Sequence, residues 1–262
     1  MKFKGYYIKC TTSLGESIAI ILGMADYPFI QIITKDKSYS LKTNWQFDFK
    51  QISLEFEKAK GEVSLDSFVR PRYHTMGPLR FLPFLECKHT VLSMFHNISG
   101  KLIIGGKEYN FKNGRGYIEG DYGKSFPERY FWTHSFLGKL GGNSSVFASA
   151  AIIPYLGVKH TGTVCIIYHN GREYRLASYL GARIVSFESN KLVVLQRHKI
   201  LEISVQTPIQ NNRELFAPTK GKMTRVITET VQTQVRYKFT IGGKTIFDLT
   251  DNNASFEFSG PY

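Results

Sequence analysis

Short apolar runs recur along this chain with a period of two, and Gly, Asn, Asp or Pro closes most of them. SIAIILGM (17–24), FIQIIT (29–34), KLIIGG (101–106), TVCIIYHNG (163–171), KLVVLQ (191–196) and TRVITETVQTQVRYKFTIGG (224–243) all follow this pattern. Alternating or β-branched runs ended by turn formers predict strands, because successive side chains of a strand point to opposite faces. Helical periodicity is hard to find in any window, so the expected class is all-β.

The pattern also repeats. IGGKEYNF (104–111) returns as IGGKTIFD (241–248), and each is followed by a turn and an aromatic strand containing a glutamate, GYIEG (116–120) and SFEFS (255–259). Lys107 precedes Glu119 by 12 residues and Lys244 precedes Glu257 by 13. IAIILGMADYPFIQIIT (18–34) resembles AAIIPYLGVKHTGTVCIIY (150–168) in its apolar run, small-residue corner and second apolar strand. Two matches in the same order predict a duplicated design. GKLGGNSS (138–145) has linker composition and sets the expected halves at 1–140 and 141–262. Each has the size of a calycin-like (lipocalin-like) β-barrel or of a sandwich of similar strand count.

Hydrophobic residues make up 42% of the 262 and aromatics 14%, enough for a large core with rings to spare for a pocket. The net charge of +13 is spread along the chain, 20 Lys and Arg against 13 Asp and Glu in 1–140 and 14 against 8 in 141–262. With no basic arm, the expectation is a basic solvated surface, weak peripheral contact with an anionic membrane, and no specific nucleic acid. Cys10, Cys87 and Cys165 form no CxxC pair, so neither a disulfide framework nor a zinc site is expected. A reducing, cytoplasmic location fits. MKFKGYYIKC lacks the apolar core of a signal peptide, and no run of about 18 apolar residues predicts a spanning helix. The seven His residues show no HxH or HExxH spacing, and no nucleophile elbow, Rossmann or Walker pattern occurs. The expectation is no metal and no cofactor.

Candidate chemistry concentrates in GRGYIEGDYGKSFPERYFWTHSF (114–136). In an extended strand Tyr117, Glu119 and Asp121 share one face; after the turn Tyr130, Trp132 and His134 share a face of the next strand. Facing inward, these would set carboxyls against rings in an apolar site, where burial keeps a carboxyl protonated and rings stabilise a cation. Facing outward, the acids would be solvated and the rings would be core or rim. RPRYH (70–74) reads as an exposed turn or an anion site, and Arg225, Ile227 and Glu229 share a face that either lines a second cavity or is solvated.

GYIEGDYGKSFPERYFW resembles the signature of the tocopherol cyclase family, on Tyr117, Glu119, Gly123, Phe126, Pro127, Tyr130 and Trp132. MGPLRFLPF (76–84) is similar to that family's Gly-Pro-aliphatic-Arg-Phe element, on Gly77, Pro78, Arg80 and Phe81. The chain is shorter than plant-type members and has Tyr122 and Tyr130 where their motif has Trp. The resemblance implies a calycin-like double barrel and, in the named enzymes, closure of a chromanol ring from a prenylated quinol. The leading expectation is an all-β protein of two tandem calycin-like halves around a greasy cavity, a cofactor-free cyclase or isomerase acting on a hydrophobic small molecule. Glu119 or Asp121 would be the proton donor, with Tyr117 beside them, and Tyr122, Phe126, Tyr130, Trp132, His134 and Arg80 would bind substrate. The alternative is a calycin-like carrier or sensor that leaves its apolar ligand unchanged.

Overall fold

The structure, a computed structural model, describes residues 2–140, 143–206 and 213–260. Its first antiparallel sheet holds β1 (Phe3–Thr11), β2 (Ser17–Met24), β3 (Pro28–Ile33), β4 (Ser38–Lys42), β5 (Gln51–Phe56), β6 (Ala59–Val69), β7 (Cys87–Ile104), β8 (Lys107–Asn110) and β9 (Gly114–Gly123). The second holds β10 (Arg129–Ser135), β11 (Ser145–Tyr155), β12 (Val158–His169), β13 (Arg172–Ala177), β14 (Arg183–Phe187), β15 (Lys191–Gln196), β16 (Lys199–Val205), β17 (Arg213–Thr219), β18 (Lys222–Ile241) and β19 (Lys244–Ser259). The helical content among the described residues is three short 3₁₀ turns, at Gly77–Phe81, Gly138–Leu140 and Ser178–Leu180. Among the described residues no helix is long and apolar enough to cross a membrane.

The strand orders are β4-β3-β2-β1-β9-β7-β6-β5, with β8 on β7, and β13-β12-β11-β10-β19-β18-β16-β15-β14, with β17 on β18. The orders correspond: β1 to β4 match β10 to β13, and β9, β7 and β6 match β19, β18 and β16. Both IGGK tetrapeptides form the hairpin at the end of the longest strand of their half, joining β7 to β8 and β18 to β19. Gly105 and Gly106 have φ of 59° and 86°, and Gly242 and Gly243 have 58° and 80°. Two consecutive positive φ angles define the type I′ turn, which matches the twist of the strands it joins and favours glycine.

The chain crosses from the first sheet to the second between Gly123 and Arg129. The stretch at 138–145, whose Gly141 and Gly142 lie outside the described residues, follows β10 and so lies beyond that crossing. Glycine and serine are as common in connections within a sheet as between domains, so composition alone does not separate the two.

The three largest apolar clusters are arranged as layers. Ile8, Ile18, Ile20, Val63, Leu102 and Ile118 belong to the core of the first half, and Phe131, Val146, Leu192, Leu201, Tyr237 and Phe239 to that of the second. Between the sheets lies a third cluster that includes Tyr7, Ala19, Met94, Tyr117, Trp132 and Ile166. β5 alternates exposed and buried positions, whereas β2 is buried on both faces over most of its length. Continuous apolar runs such as SIAIILGM therefore mark strands covered on both sides, and alternating runs mark strands with a solvated face.

Candidate active site

Between the two sheets lies a cavity of about 210 Å³, with walls that are mostly apolar and include Phe3, Ile21, Phe126, Phe147, Leu215 and Ile227. An apolar cavity of about 150 Å³ suffices for benzene, so this one admits a larger apolar molecule. The paired strands β1/β9 and β10/β19 bring polar groups to it: Tyr7 lies opposite Glu119 in one ladder, and Trp132 lies opposite Glu257 in the other. The Tyr7 and Trp132 rings meet edge to face, with centroids 5.1 Å apart.

Glu119 is the best-held carboxyl. The Tyr117 hydroxyl donates to its Oε2 at 2.5 Å and the Trp132 indole N–H donates to the same oxygen at 3.0 Å. His89 Nε2 stands 3.5 Å from that oxygen, while His89 Nδ1 pairs with Asp121 Oδ1 at 2.9 Å. Burial raises the Glu119 carboxyl to about 7 despite the pull of His89. Burial also disfavours charge on His89, but Glu119 and Asp121 outweigh it and raise the imidazole to about 9. The arrangement at neutral pH is an imidazolium paired with Asp121 beside a carboxyl that exchanges its proton near pH 7. The donor atoms of His89, Glu119 and Asp121 lie within 4.8 Å of one another, which is also within reach of one cation. Sequence spacing carries no sign of this, because β7 and β9 bring together residues far apart in the chain.

The second half contributes Glu229 and Glu257, which also line the cavity. Tyr130 donates a hydrogen bond to Glu257, and Tyr7 donates to Ser255 Oγ at 3.2 Å.

Of the residues expected from the sequence, Glu119, Asp121, Phe126, Tyr130 and Trp132 line the cavity. Tyr117 lies behind Glu119, its ring stacked on His134 at 3.7 Å between centroids, so both support the carboxyl from outside the ligand space. His134 occupies the same strand face as Trp132 two residues deeper, where its Nε2 bonds Ser145 Oγ. Tyr122 is on the opposite face of β9 and is exposed under the Lys2 ammonium. Strand alternation puts it there once Glu119 and Asp121 face inward. Arg80 is exposed on the first 3₁₀ turn, packed on the Phe81 ring, and is not among the cavity-lining residues. Sequence reasoning misses Tyr7, His89, Glu229 and Glu257. The glutamate of SFEFS, matched to that of GYIEG by the repeat, is a signal for Glu257; Glu229 sits on a strand face that the pattern leaves ambiguous; His89 carries no local signal.

The profile of the Tocopherol cyclase-like family matches residues 5–260. The chain belongs to this family. No curated protein matches it in sequence. Kievitone hydratase from Nectria haematococca has a similar crystal structure, with a TM-score of 0.56 at 9% identity over 98% of this chain and 89% of that one. CghA with Sch210972 gives a TM-score of 0.62 at 7% identity over 99% and 88%. At such identities the likeness is one of fold.

In this tocopherol cyclase-like protein the motif glycine has a plain physical reason. A Cβ on Gly123 would lie 2.0 Å from the Glu86 carbonyl oxygen and 2.9 Å from Cys87 Cα, backbone atoms at the start of β7. Gly123→Ala should therefore cost about 1–3 kcal/mol, as overpacking does, by shifting the strand that carries His89. Urea unfolding of the two proteins checks this, and an unchanged midpoint would show that β7 can yield.

Proposed function

We propose that this protein is a cyclase- or hydratase-like enzyme that protonates a carbon–carbon double bond in an apolar, isoprenoid-like small molecule. The observation that carries the reading is Glu119, a carboxyl 5% exposed, lining a largely apolar cavity and raised to about 7. A carboxyl that holds its proton near neutrality can give it to a weakly basic carbon. Once ionised, Glu119 keeps the hydrogen bonds from Tyr117 and Trp132 and gains the full attraction of His89, so the conjugate base is stabilised as it forms. The carbocation is stabilised by the faces of Tyr7, Tyr130, Trp132 and Phe147. Capture by a hydroxyl of the same molecule closes a ring; capture by water hydrates it. Tyr117 and His134 act as positioning residues behind the acid.

Turnover in D₂O of a panel of prenylated quinols and isoprenoid alkenes, with products weighed by mass spectrometry, tests the reading. A product isomeric with its substrate and carrying one carbon-bound deuterium marks a cyclase, and one heavier by water marks a hydratase. Substrates that bind and emerge unchanged would establish a carrier instead, the function that the same cavity supports without chemistry. Loss of activity in chelator, restored by a divalent cation, would turn the His89–Glu119–Asp121 cluster into a metal site. Trp132→Ala should weaken binding of the best panel member about tenfold, since it removes a large apolar face from the wall; titration calorimetry reads this, and unchanged affinity would place the ligand elsewhere.

A further inference from the structure

Glu229 and Glu257 take no part in the protonation, yet they face the same cavity and sit directly opposite each other in the β18/β19 ladder. Both are buried, 2% and 7% exposed. Glu257 receives a hydrogen bond from Tyr130, but Glu229 Oε1 is buried without a hydrogen-bond partner. A buried carboxyl oxygen left unpaired costs desolvation, and the Tyr7 hydroxyl and the Lys9 charge beside Glu229 are outweighed by that burial. Lys9 and Arg225 lie close enough to act electrostatically on Glu229 and Glu257 respectively, so positive charge is already supplied from the protein side.

We propose that the Glu229–Glu257 pair is a hydroxyl-binding subsite of the cavity, selecting ligands that carry an alcohol or phenol beside an apolar body. Burial raises both carboxyls, Glu257 further opposes ionisation of Glu229, and Glu119 and Asp121 oppose that of Glu257, so the pair, directly paired across the ladder, retains a proton near neutrality. A protonated pair presents an O–H donor and oxygen acceptors side by side, and a hydroxyl is the group that uses both. An anionic ligand would meet the carboxyls unfavourably, and an ammonium would compete with Lys9 and Arg225. The subsite rests on the cavity being a ligand site, as the proposed function does, but not on turnover.

Binding of geraniol, geranyl methyl ether and geranylamine to the full chain at pH 7, by titration calorimetry, isolates the head group on one apolar body. Wild type should bind geraniol about tenfold tighter than the ether, roughly one hydrogen-bonded head group. Glu229→Leu should remove that preference, Glu229→Gln should retain part of it because an amide still donates and accepts, and Arg80→Ala, at an exposed position outside the cavity lining, should leave it whole. Equal binding of alcohol and ether by wild type overturns the subsite, as does failure of all three to bind, and the amine binding tightest shows an ammonium site. Preference for the alcohol without any turnover would leave the subsite standing and sink only the enzymatic reading. Leucine in a buried, strand-paired position should not impair folding, and a thermal melt of each variant checks this.

Discussion

Glu119→Gln is expected to lower turnover about 10²–10⁴-fold while leaving ligand affinity within a few-fold, the span by which general acid catalysis usually contributes. The substitution keeps the side chain's size and an oxygen that can accept from Tyr117 and Trp132, whose donors reach Glu119 Oε2 at 2.5 and 3.0 Å. What it removes is the transferable proton. The effect should therefore fall on kcat, with KM little changed, because the interaction lost belongs to the transition state. Asp121→Asn should act differently. Asp121 accepts from His89 Nδ1 at 2.9 Å and from the Cys87 thiol at 3.6 Å, the arrangement of an acceptor that holds its neighbours. Asp121 raises Glu119 directly, and Glu119 itself helps to hold the charge on His89, so loss of Asp121 should lower Glu119 and move the alkaline limb of the pH–rate profile, where the acid loses its proton, downward. Steady-state kinetics across pH, with a thermal melt for each variant, separates the two roles. Full activity in Glu119→Gln would transfer the donor role to Asp121, the other carboxyl the sequence put forward.

The fold was legible because its signals are local. Period-two alternation depends on neighbouring residues, and the IGGK turn depends on two glycines whose φ angles are all positive in both copies. The repeat even paired Glu119 with Glu257, which occupy corresponding strands, β9 and β19. What could not be read was where the two copies meet. The cavity is formed by strand faces of both halves, and local sequence does not distinguish an inward face that packs its own core from one that packs against the other sheet. That is why Tyr117 and His134, on the correct faces, lie behind the acid, and why His89, Tyr7 and Glu229 could not be singled out. Tyr122 shows the opposite case: family likeness put it in the site, and simple alternation from Glu119 would have kept it out.

Stability should fall as pH rises from about 6.5 to about 8, the reverse of what paired surface carboxylates produce. Glu119 is raised by burial to about 7 and Glu257 to about 8, and Glu229 is raised as well. Unfolded, each glutamate ionises near 4.5, so above that pH the unfolded chain releases protons that the folded protein retains. The unfolded state then binds fewer protons, and the free energy of unfolding declines with pH until the folded groups ionise too. His89 adds to the decline between about 6.5 and 9, because its raised value makes the folded state the better proton binder there. His96, lowered by burial to about 3, and His134, also lowered by burial, act in the other direction below about 6.5, where the unfolded chain takes up protons that the folded protein refuses, and Lys9, lowered by burial to about 8, does so between about 8 and its ordinary 10.5. A tenfold difference in proton affinity between the folded and unfolded states is worth about 1.4 kcal/mol. Discounted for relaxation around buried groups, the loss from about pH 6.5 to 8 should be on the order of 3–5 kcal/mol. For a chain of this size that is roughly 10 °C in melting temperature. Glu229→Gln and Glu257→Gln should each flatten the curve and raise the melting temperature at pH 8, because each replaces a carboxyl that ionises at a cost with an amide that does not titrate. Scanning calorimetry from pH 6.5 to 8 measures both effects, and a melting temperature that climbs across that range would mean that the three carboxyls are solvated or ionised in the folded protein, removing the basis for a proton held on Glu119.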